Sequence, residues 1–439
     1  MKKNISIFLV ACLYLFNAGA QELDLKSYME LVEENSKDLK IAEIDQELAG
    51  TQEKLARSAI RPMISGSAGY SRNLMDIKAP QPVGVSGNQF IFKEIDMNKD
   101  NEFQFAVGGE QQLFNMSVFK ALEASRKYRD MTGSIYEASR QGILTAAKQL
   151  YFQVVLLDEV YKVKKATEQN AYESYRDVQK KYDSEMASEL DVLQAEVNWQ
   201  INIPETTKSA RNRDLAMSNL KHLAGLDPEK LLVLTDSLNE IPAKNDVENL
   251  SIILNNRPDY LVQQGLVDLK DINISAERAK FFPTLSASAQ IGTSFANDEF
   301  ILEDGTEFFK FGLSVTLPIY HGGSRFANME KARLEKEQSL IDLVKKREDI
   351  SIEINNLNLL LDEASSRIIS AETTVKTAER AYGIMEISFK NGMATQLDQK
   401  DARLNLSGAK LNYYSAIFDY LNAFFQWQQA TGKGDKLPF

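Results

Sequence analysis

The chain has 439 residues, of which 44% are hydrophobic and 26% are charged, and its formal net charge is −11. An acidic chain repels the phosphate backbone, so nucleic acid is disfavoured as a partner. One cysteine, two histidines, and no glycine-rich phosphate loop or nucleophile elbow predict no metal, no cofactor and no enzyme activity.

The first 20 residues have the three parts of an export signal. Two lysines precede the apolar run 5–16, and Ala18-Gly19-Ala20 predicts cleavage before Gln21. Cys12 also fits a bacterial lipobox, and its lipidation is the alternative. Because the apolar run continues past Cys12, we expect simple cleavage. No later apolar run reaches 18 residues, so no transmembrane helix is predicted. An exported chain of this kind is periplasmic, secreted or a β-barrel.

After residue 20 the chain repeats itself once. Three stretches of the first half match stretches of the second half in the same order and at a nearly constant spacing. The matches are 34–70 with 255–291, Leu113-Phe114 with Ile319-Tyr320, and Met186-Ala187 with Met393-Ala394. Collinear matches indicate an internal duplication. We predict a first repeat at 21–226, an equatorial linker at 227–249, a second repeat at 250–432 and a C-terminal tail at 433–439.

Each repeat is predicted to run helix, strand, loop, strand, long helix, tight turn and return helix. The predicted helices are 28–60, 117–183 and 188–223 in the first repeat, and 250–281, 324–390 and 396–430 in the second. At 1.5 Å per residue, each long helix extends for roughly 100 Å. Pro204 predicts a break in the first return helix. The polar segments 79–100 and 297–306 are predicted loops.

The predicted strands alternate between apolar and polar residues. In the second repeat this alternation covers 285–292 and 309–317. Apolar residues on one face and small or polar residues on the other fit the wall of a membrane barrel. The alternation alone also fits a half-buried hairpin of a soluble domain. Four strands are too few to close a barrel, so closure requires an oligomer.

The second long helix carries an unbroken heptad pattern of apolar residues. Its members are Ile354, Leu357, Leu361, Ala364, Ile368, Ala371, Val375, Ala378, Tyr382 and Met385. The first long helix keeps most of this pattern. A 3.5-residue period predicts left-handed packing against other helices. The shorter helices, about half as long, would stack end to end beside each long helix.

Three motifs resemble those of the TolC-type outer-membrane efflux protein family, over essentially the whole mature chain. They are Asn256-Arg257-Pro258-Asp259, Phe282-Pro283-Thr284-Leu285 and Leu317-Pro318-Ile319-Tyr320-His321-Gly322-Gly323. The resemblance implies an α+β membrane protein, in which a long antiparallel α-helical coiled-coil barrel is joined to four β-strands per chain that contribute to an oligomeric transmembrane β-barrel. It implies a homotrimer in the lipid of the outer membrane of a Gram-negative bacterium, spanning the periplasm. A periplasmic adaptor protein and an inner-membrane pump would be its partners in efflux or type I secretion.

The same resemblance assigns roles to the two helix tips. The adaptor-docking residues would be Ser184, Glu185, Met186 and Ala187 in the first repeat, and Asn391, Gly392, Met393 and Ala394 in the second. Gly392 suits a turn with positive φ. Glu185 occupies the matching position, which leaves open whether both tips turn and dock alike.

Acidic residues beyond the tips resemble the family's periplasmic gate. Asp398 and Asp401 match its paired aspartates, and their spacing places both carboxylates on one helix face. Repeated by symmetry, they would form acidic rings that favour cations. Asp191 is the gate residue of the first repeat, where Gln194 replaces the second aspartate. The alternative is that these carboxylates only solvate a helix surface.

The sequence thus predicts a passive outer-membrane conduit gated at its periplasmic tip. An exported coiled-coil structural or adhesive surface protein is the alternative, although it leaves the duplicated strand pairs unexplained. An exported enzyme is third, and the chain offers it no catalytic constellation.

Overall fold

A computed structural model describes residues 21–87, 89–239, 241–244 and 248–437. The predicted export signal at 1–20, with Cys12, lies outside these residues. The described residues divide into two compact units. The first unit lies within Met1–Glu43, Glu137–Pro258 and Glu348–Phe439, and the second within Ile44–Tyr136 and Asp259–Arg347. None of the described helices combines the length and hydropathy that a membrane-spanning helix requires.

The helices and strands follow the predicted order in both halves of the chain. The first half contains β1 (Gln21–Leu23), α1 (Leu25–Asn35), α2 (Lys37–Ser58), β2 (Met63–Arg72), β3 (Lys78–Ser86), β4 (Gln89–Asp96), β5 (Asn101–Phe114), α3 (Met116–Asp183), α4 (Glu189–Leu223) and β6 (Leu232–Leu234). The second half contains α5 (Leu250–Asn256), α6 (Pro258–Ala279), β7 (Thr284–Asn297), β8 (Thr306–Thr316), α7 (Ser324–Lys390) and α8 (Gln396–Ala430).

The four predicted strands form one antiparallel sheet in the second unit. Its order is β2-β5-β7-β8, so β5 of the first repeat pairs with β7 of the second. Val107, Ile291 and Phe309 are direct neighbours across three strands, and their side chains are 53%, 60% and 69% exposed. Directly paired residues share a face of the sheet. One face therefore presents a band of exposed apolar side chains, as the alternation predicted.

The prediction of a loop at 79–100 is wrong over most of this segment, because the segment contains the hairpin β3–β4. Phe90 and Phe92 supply the alternating residues of β4, and their rings lie 6.5 Å apart. Gly87, with φ of 65°, turns the chain between the strands. The register shifts between Pro82 and Gly84, which is how a proline is accommodated in a strand at a bulge.

Two segments that were each predicted to form one helix form two helices in the structure. The segment 28–60 is broken at Ser36, where ψ is 125°, and 250–281 is broken at Arg257, where ψ is 110°. Arg257 precedes Pro258, whose ring disfavours helical backbone in the preceding residue. Proline is also well suited to the first position of α6. The two breaks occupy matching positions of the repeats.

The predicted break at Pro204 is wrong, because α4 continues through it. A proline inside a helix removes one backbone hydrogen bond and costs about 3 kcal/mol. Here α4 is held against α3 on both sides of the proline. Trp199 stacks on Tyr175 with ring centroids 5.7 Å apart, and the Thr206 hydroxyl donates to the Lys164 carbonyl at 3.4 Å. Packing of this kind, more than propensity, stabilises helices in proteins.

The heptad residues of α7 lie on its covered face. Ile354, Leu357, Leu361, Ala364 and Ile368 are buried, and the later members towards the tip are half-buried. The predicted coiled-coil seam is therefore the packed face of the helix. The bounds of α7 and α8 agree with the sequence prediction at both ends.

Lys148 anchors the end of the chain within the first unit. Its side chain is fully buried, and its ammonium donates to the carbonyls of Gly434, at 2.8 Å, and of Lys436. Gln428 Oε1 is a further acceptor at 3.4 Å. Burial lowers the pKa of Lys148 to about 8, although the charge of Asp435 opposes this shift.

Candidate functional site

Both helix tips turn through the same backbone geometry. Glu185 has φ of 61° and Gly392 has φ of 72°, so both adopt the left-handed conformation. The Met186 amide donates to the Lys181 carbonyl at 2.8 Å, and the Met393 amide donates to its counterpart at 2.8 Å. This is the six-to-one hydrogen bond of a Schellman motif. The tips therefore turn alike, and only Glu185 does so with a side chain that disfavours positive φ.

A capping box begins each return helix. The hydroxyl of Ser188 donates to the Asp191 carboxylate at 2.7 Å, and the Ser188 amide donates to the same oxygen at 2.9 Å. Thr395 makes the same two bonds to Asp398, at 2.6 and 2.9 Å. In both boxes the side-chain hydroxyl also accepts from the aspartate amide. Each aspartate thus satisfies a helix N-terminus that would otherwise lack partners.

These hydrogen bonds stabilise the charged form of both carboxylates. The bonds from Thr395 lower the pKa of Asp398, and those from Ser188 lower the pKa of Asp191. Sequence reasoning assigned these residues to a gate and missed their capping role. The pattern that reveals this role is a hydroxyl residue three positions before an acid at the start of a helix.

Asp401 differs from Asp398 in its hydrogen bonds. It is exposed and forms no hydrogen bond or ion pair with any described residue, whereas Asp398 is exposed and committed to the cap. Both lie on the first two turns of α8, one turn apart. The structure therefore places the predicted acidic pair on one helix, with two different hydrogen-bonding states.

The predicted docking residues surround the two turns. Met186 and Met393 are the most exposed apolar side chains of the tips, at 72% and 73%. Lys181 lies over the ring of Phe389 at 4.8 Å, which brings the end of α3 next to the end of α7. The tips thus present two matching methionines on two neighbouring helical turns.

No cluster of three or more histidine, cysteine or acidic residues that could hold a metal occurs among the described residues. The strongest pKa shifts belong to buried tyrosines and to Lys148, which pack within the first unit.

Comparison with known protein families shows which family this chain belongs to. The family model described as "Outer membrane efflux protein" matches residues 29–226 and 249–433. The chain belongs to the outer membrane efflux protein family. Membership confirms the predicted resemblance, the expected location in the outer membrane and the expected role as an efflux channel. It supports this role over the alternative of an exported coiled-coil structural or adhesive surface protein.

Individual relatives of this outer membrane efflux protein are distant but cover most of its length. It is 22% identical over 388 residues to the probable outer membrane lipoprotein SilC of Salmonella typhimurium, covering 85% of this chain and 77% of the relative. It is 22% identical over 420 residues to the outer membrane protein TolC of Vibrio cholerae, covering 92% and 90%. The fold matches the CmeC outer membrane channel of Campylobacter jejuni with a TM-score of 0.76 and 21% identity, covering 93% and 86%. The match confirms the predicted fold class of one chain.

Proposed function

We propose that three copies of this outer membrane efflux protein close one β-barrel and continue it as a helical conduit. The edge strands of the four-stranded sheet carry this proposal. β2 and β8 each pair on one side only within the described residues, and they are 10 and 11 residues long. Long unpaired edges with an apolar face require a partner. Joining β8 of one copy to β2 of the next would satisfy both edges and place the apolar band against lipid.

The partners follow from the family. Outer membrane efflux channels work with other components, and we propose a periplasmic adaptor and an inner-membrane pump for this chain. The adaptor would contact the tips around Met186 and Met393, whose exposed thioether side chains suit an adaptable interface. The chain itself would be a passive conduit, in either an efflux or a type I secretion assembly.

The division of the chain into two repeats, 21–226 and 250–432, with a linker between them, stays a prediction.

We place the gate at the start of the return helices. Asp398 and Asp401 would form acidic rings around the conduit axis, with Asp191 adding a third carboxylate per chain. The lowered pKa of Asp398 keeps it ionised at neutral pH. Fixed negative charge in a narrow opening attracts cations and repels anions. The capping boxes support this placement because they hold each carboxylate-bearing turn in one conformation.

The reversal potential of single channels under a salt gradient tests the gate. Replacing Asp398 and Asp401 by asparagine removes two charges per chain, and an asparagine side chain still offers a carbonyl oxygen to the Thr395 cap. We expect the preference for cations over anions to fall markedly in this double variant. The matched control replaces Asp342 and Asp349, two exposed positions on α7, by asparagine, and it leaves selectivity unchanged. Equal selectivity in the double variant and the wild type would refute the gate.

A further inference from the structure

A groove in the first unit lies beside the return helices, and neither the gate residues nor the docking residues line it. It has a volume of about 420 Å³ and is bounded by α3, α4 and the first two turns of α8. The α3–α4 wall is fixed by the stacking of Trp199 on Tyr175. α8 is fixed to α3 by a hydrogen bond of 3.0 Å between the hydroxyls of Thr167 and Ser407. The groove is therefore a formed feature and not a gap between loose helices.

Arg403 lines this groove and has no acidic partner among the described residues. Only 8% of its surface is exposed, and its buried Nε has no hydrogen-bond acceptor. Within the described residues it forms no ion pair, and no carboxylate lines the groove. A guanidinium stays charged at every pH at which proteins fold, so its charge cannot be removed by losing a proton. An unpaired buried charge is strongly unfavourable.

Arg403 differs in this respect from the two lysines of a neighbouring cavity. A second cavity of about 270 Å³ also reaches Arg403, and its lysines are neutralised by their own acids. Lys162 pairs with Glu159 at 2.7 Å and Lys410 pairs with Glu379 at 3.0 Å. Lys400, on the groove side, has no acidic partner among the described residues either. Among the described residues, the groove thus has two cations without an acidic partner, and Arg403 is the buried one.

The rest of the groove wall indicates what kind of anion fits. Leu193, Val197 and Ile201 line α4 at helical spacing, and they are 50%, 57% and 62% exposed. Leu397 adds a fourth aliphatic side chain from α8. Guanidinium groups bind carboxylates and phosphates through paired hydrogen bonds. A ligand with an anionic head at Arg403 and an aliphatic body along α4 would satisfy both surfaces.

We propose that this groove binds an amphiphilic organic anion, with its head group on Arg403 and Lys400. The proposal goes beyond the conduit function and holds whether or not Asp398 and Asp401 form the gate. It also predicts an asymmetry between the repeats. Glu196 occupies the position of the first repeat that matches Arg403, so the first repeat has no equivalent site.

Calorimetric titration of the full-length purified oligomer in nanodiscs tests the proposal, with sodium octanoate as the probe. Empty nanodiscs give the background from the lipid. We expect saturable binding to the wild type and at least a tenfold weaker affinity in Arg403→Gln. Arg347→Gln removes an equal charge from an exposed position on α7 and should bind like the wild type. Acetate, which lacks the aliphatic body, should bind more weakly than octanoate. Equal octanoate binding to Arg403→Gln and wild type, or none to either, overturns the proposal.

A second variant separates a ligand site from a contact between subunits. Arg403→Met replaces the unpaired charge by an apolar side chain of similar length, so without ligand it should unfold at the same or a higher temperature than the wild type. Octanoate should then raise the unfolding temperature of the wild type but not that of Arg403→Met. A lower unfolding temperature together with loss of the oligomer in Arg403→Met would show that a second copy supplies the counter-charge. That result overturns the small-anion proposal.

Discussion

The left-handed backbone at Glu185 makes the first tip less stable than the second. Left-handed backbone costs a non-glycine residue about 1 to 2 kcal/mol, and Gly392 avoids this cost in the matching turn. Glu185→Gly removes this strain from the folded turn. Glycine also gives the open chain more conformational entropy, and this offsets about 0.4 to 1 kcal/mol of the gain in stability. Mid-range values give a net gain of about 0.8 kcal/mol, which corresponds to a roughly two- to fivefold change in the opening equilibrium.

Hydrogen exchange at single-residue resolution measures this difference directly. The Met186 amide reports opening of the first tip and the Met393 amide reports opening of the second, because each makes the six-to-one bond of its turn at 2.8 Å. Met186 should exchange faster than Met393 in the wild type. Glu185→Gly should slow exchange at Met186 by about two- to fivefold.

The mirror substitution is the control. Gly392→Ala places a Cβ on backbone with φ of 72°, where nothing crowds it in space, so its effect comes from backbone strain alone. It should accelerate exchange at Met393 by a similar factor and leave Met186 unchanged. If Glu185→Gly left Met186 unchanged or made it exchange faster, the argument from backbone strain would be wrong.

Three further predictions concern the capping box, the proline in α4 and the buried lysine. Thr395→Ala removes the hydroxyl of the second capping box and should destabilise the start of α8 by about 1 kcal/mol, seen as faster amide exchange there, whereas Thr395→Ser should not. Pro204→Ala restores a backbone donor in a helix that already continues through this point, so exchange in the flanking turns of α4 should slow, and faster exchange would contradict the packing argument. Lys148 has a folded-state pKa of about 8, below its unfolded value, so the folded state loses this proton first as pH rises. The stability of the wild type relative to Lys148→Met should therefore increase between about pH 8 and pH 10.5, and a flat or falling difference in denaturant titrations would contradict the assignment.

The long helices could be predicted from the sequence because several local features agree along them. α7 has its heptad pattern, no proline, and a glycine turn after it. Agreement among these features leaves few alternatives for such a segment. The two strands of the second repeat are predictable from their regular alternation, and the duplication predicts their counterparts in the first repeat.

Other features depend on packing that a sequence does not display. The β3–β4 hairpin was missed because Pro80, Pro82 and Gly84 indicate a loop, and the bulge that accommodates them is a tertiary feature. The break at Ser36 has no proline to mark it, although the break at Arg257 does. Burial of Arg403 is likewise invisible, because an arginine at a helical position is most often a solvated residue.

Single-channel recording in a planar lipid bilayer tests the central claim most directly. The purified full-length protein should insert as an oligomer and give discrete, reproducible conductance steps, because a closed barrel continued by a helical conduit provides one aqueous path per assembly. A well-folded oligomer that bound the bilayer and gave no conductance steps would contradict the account of this chain as a channel subunit.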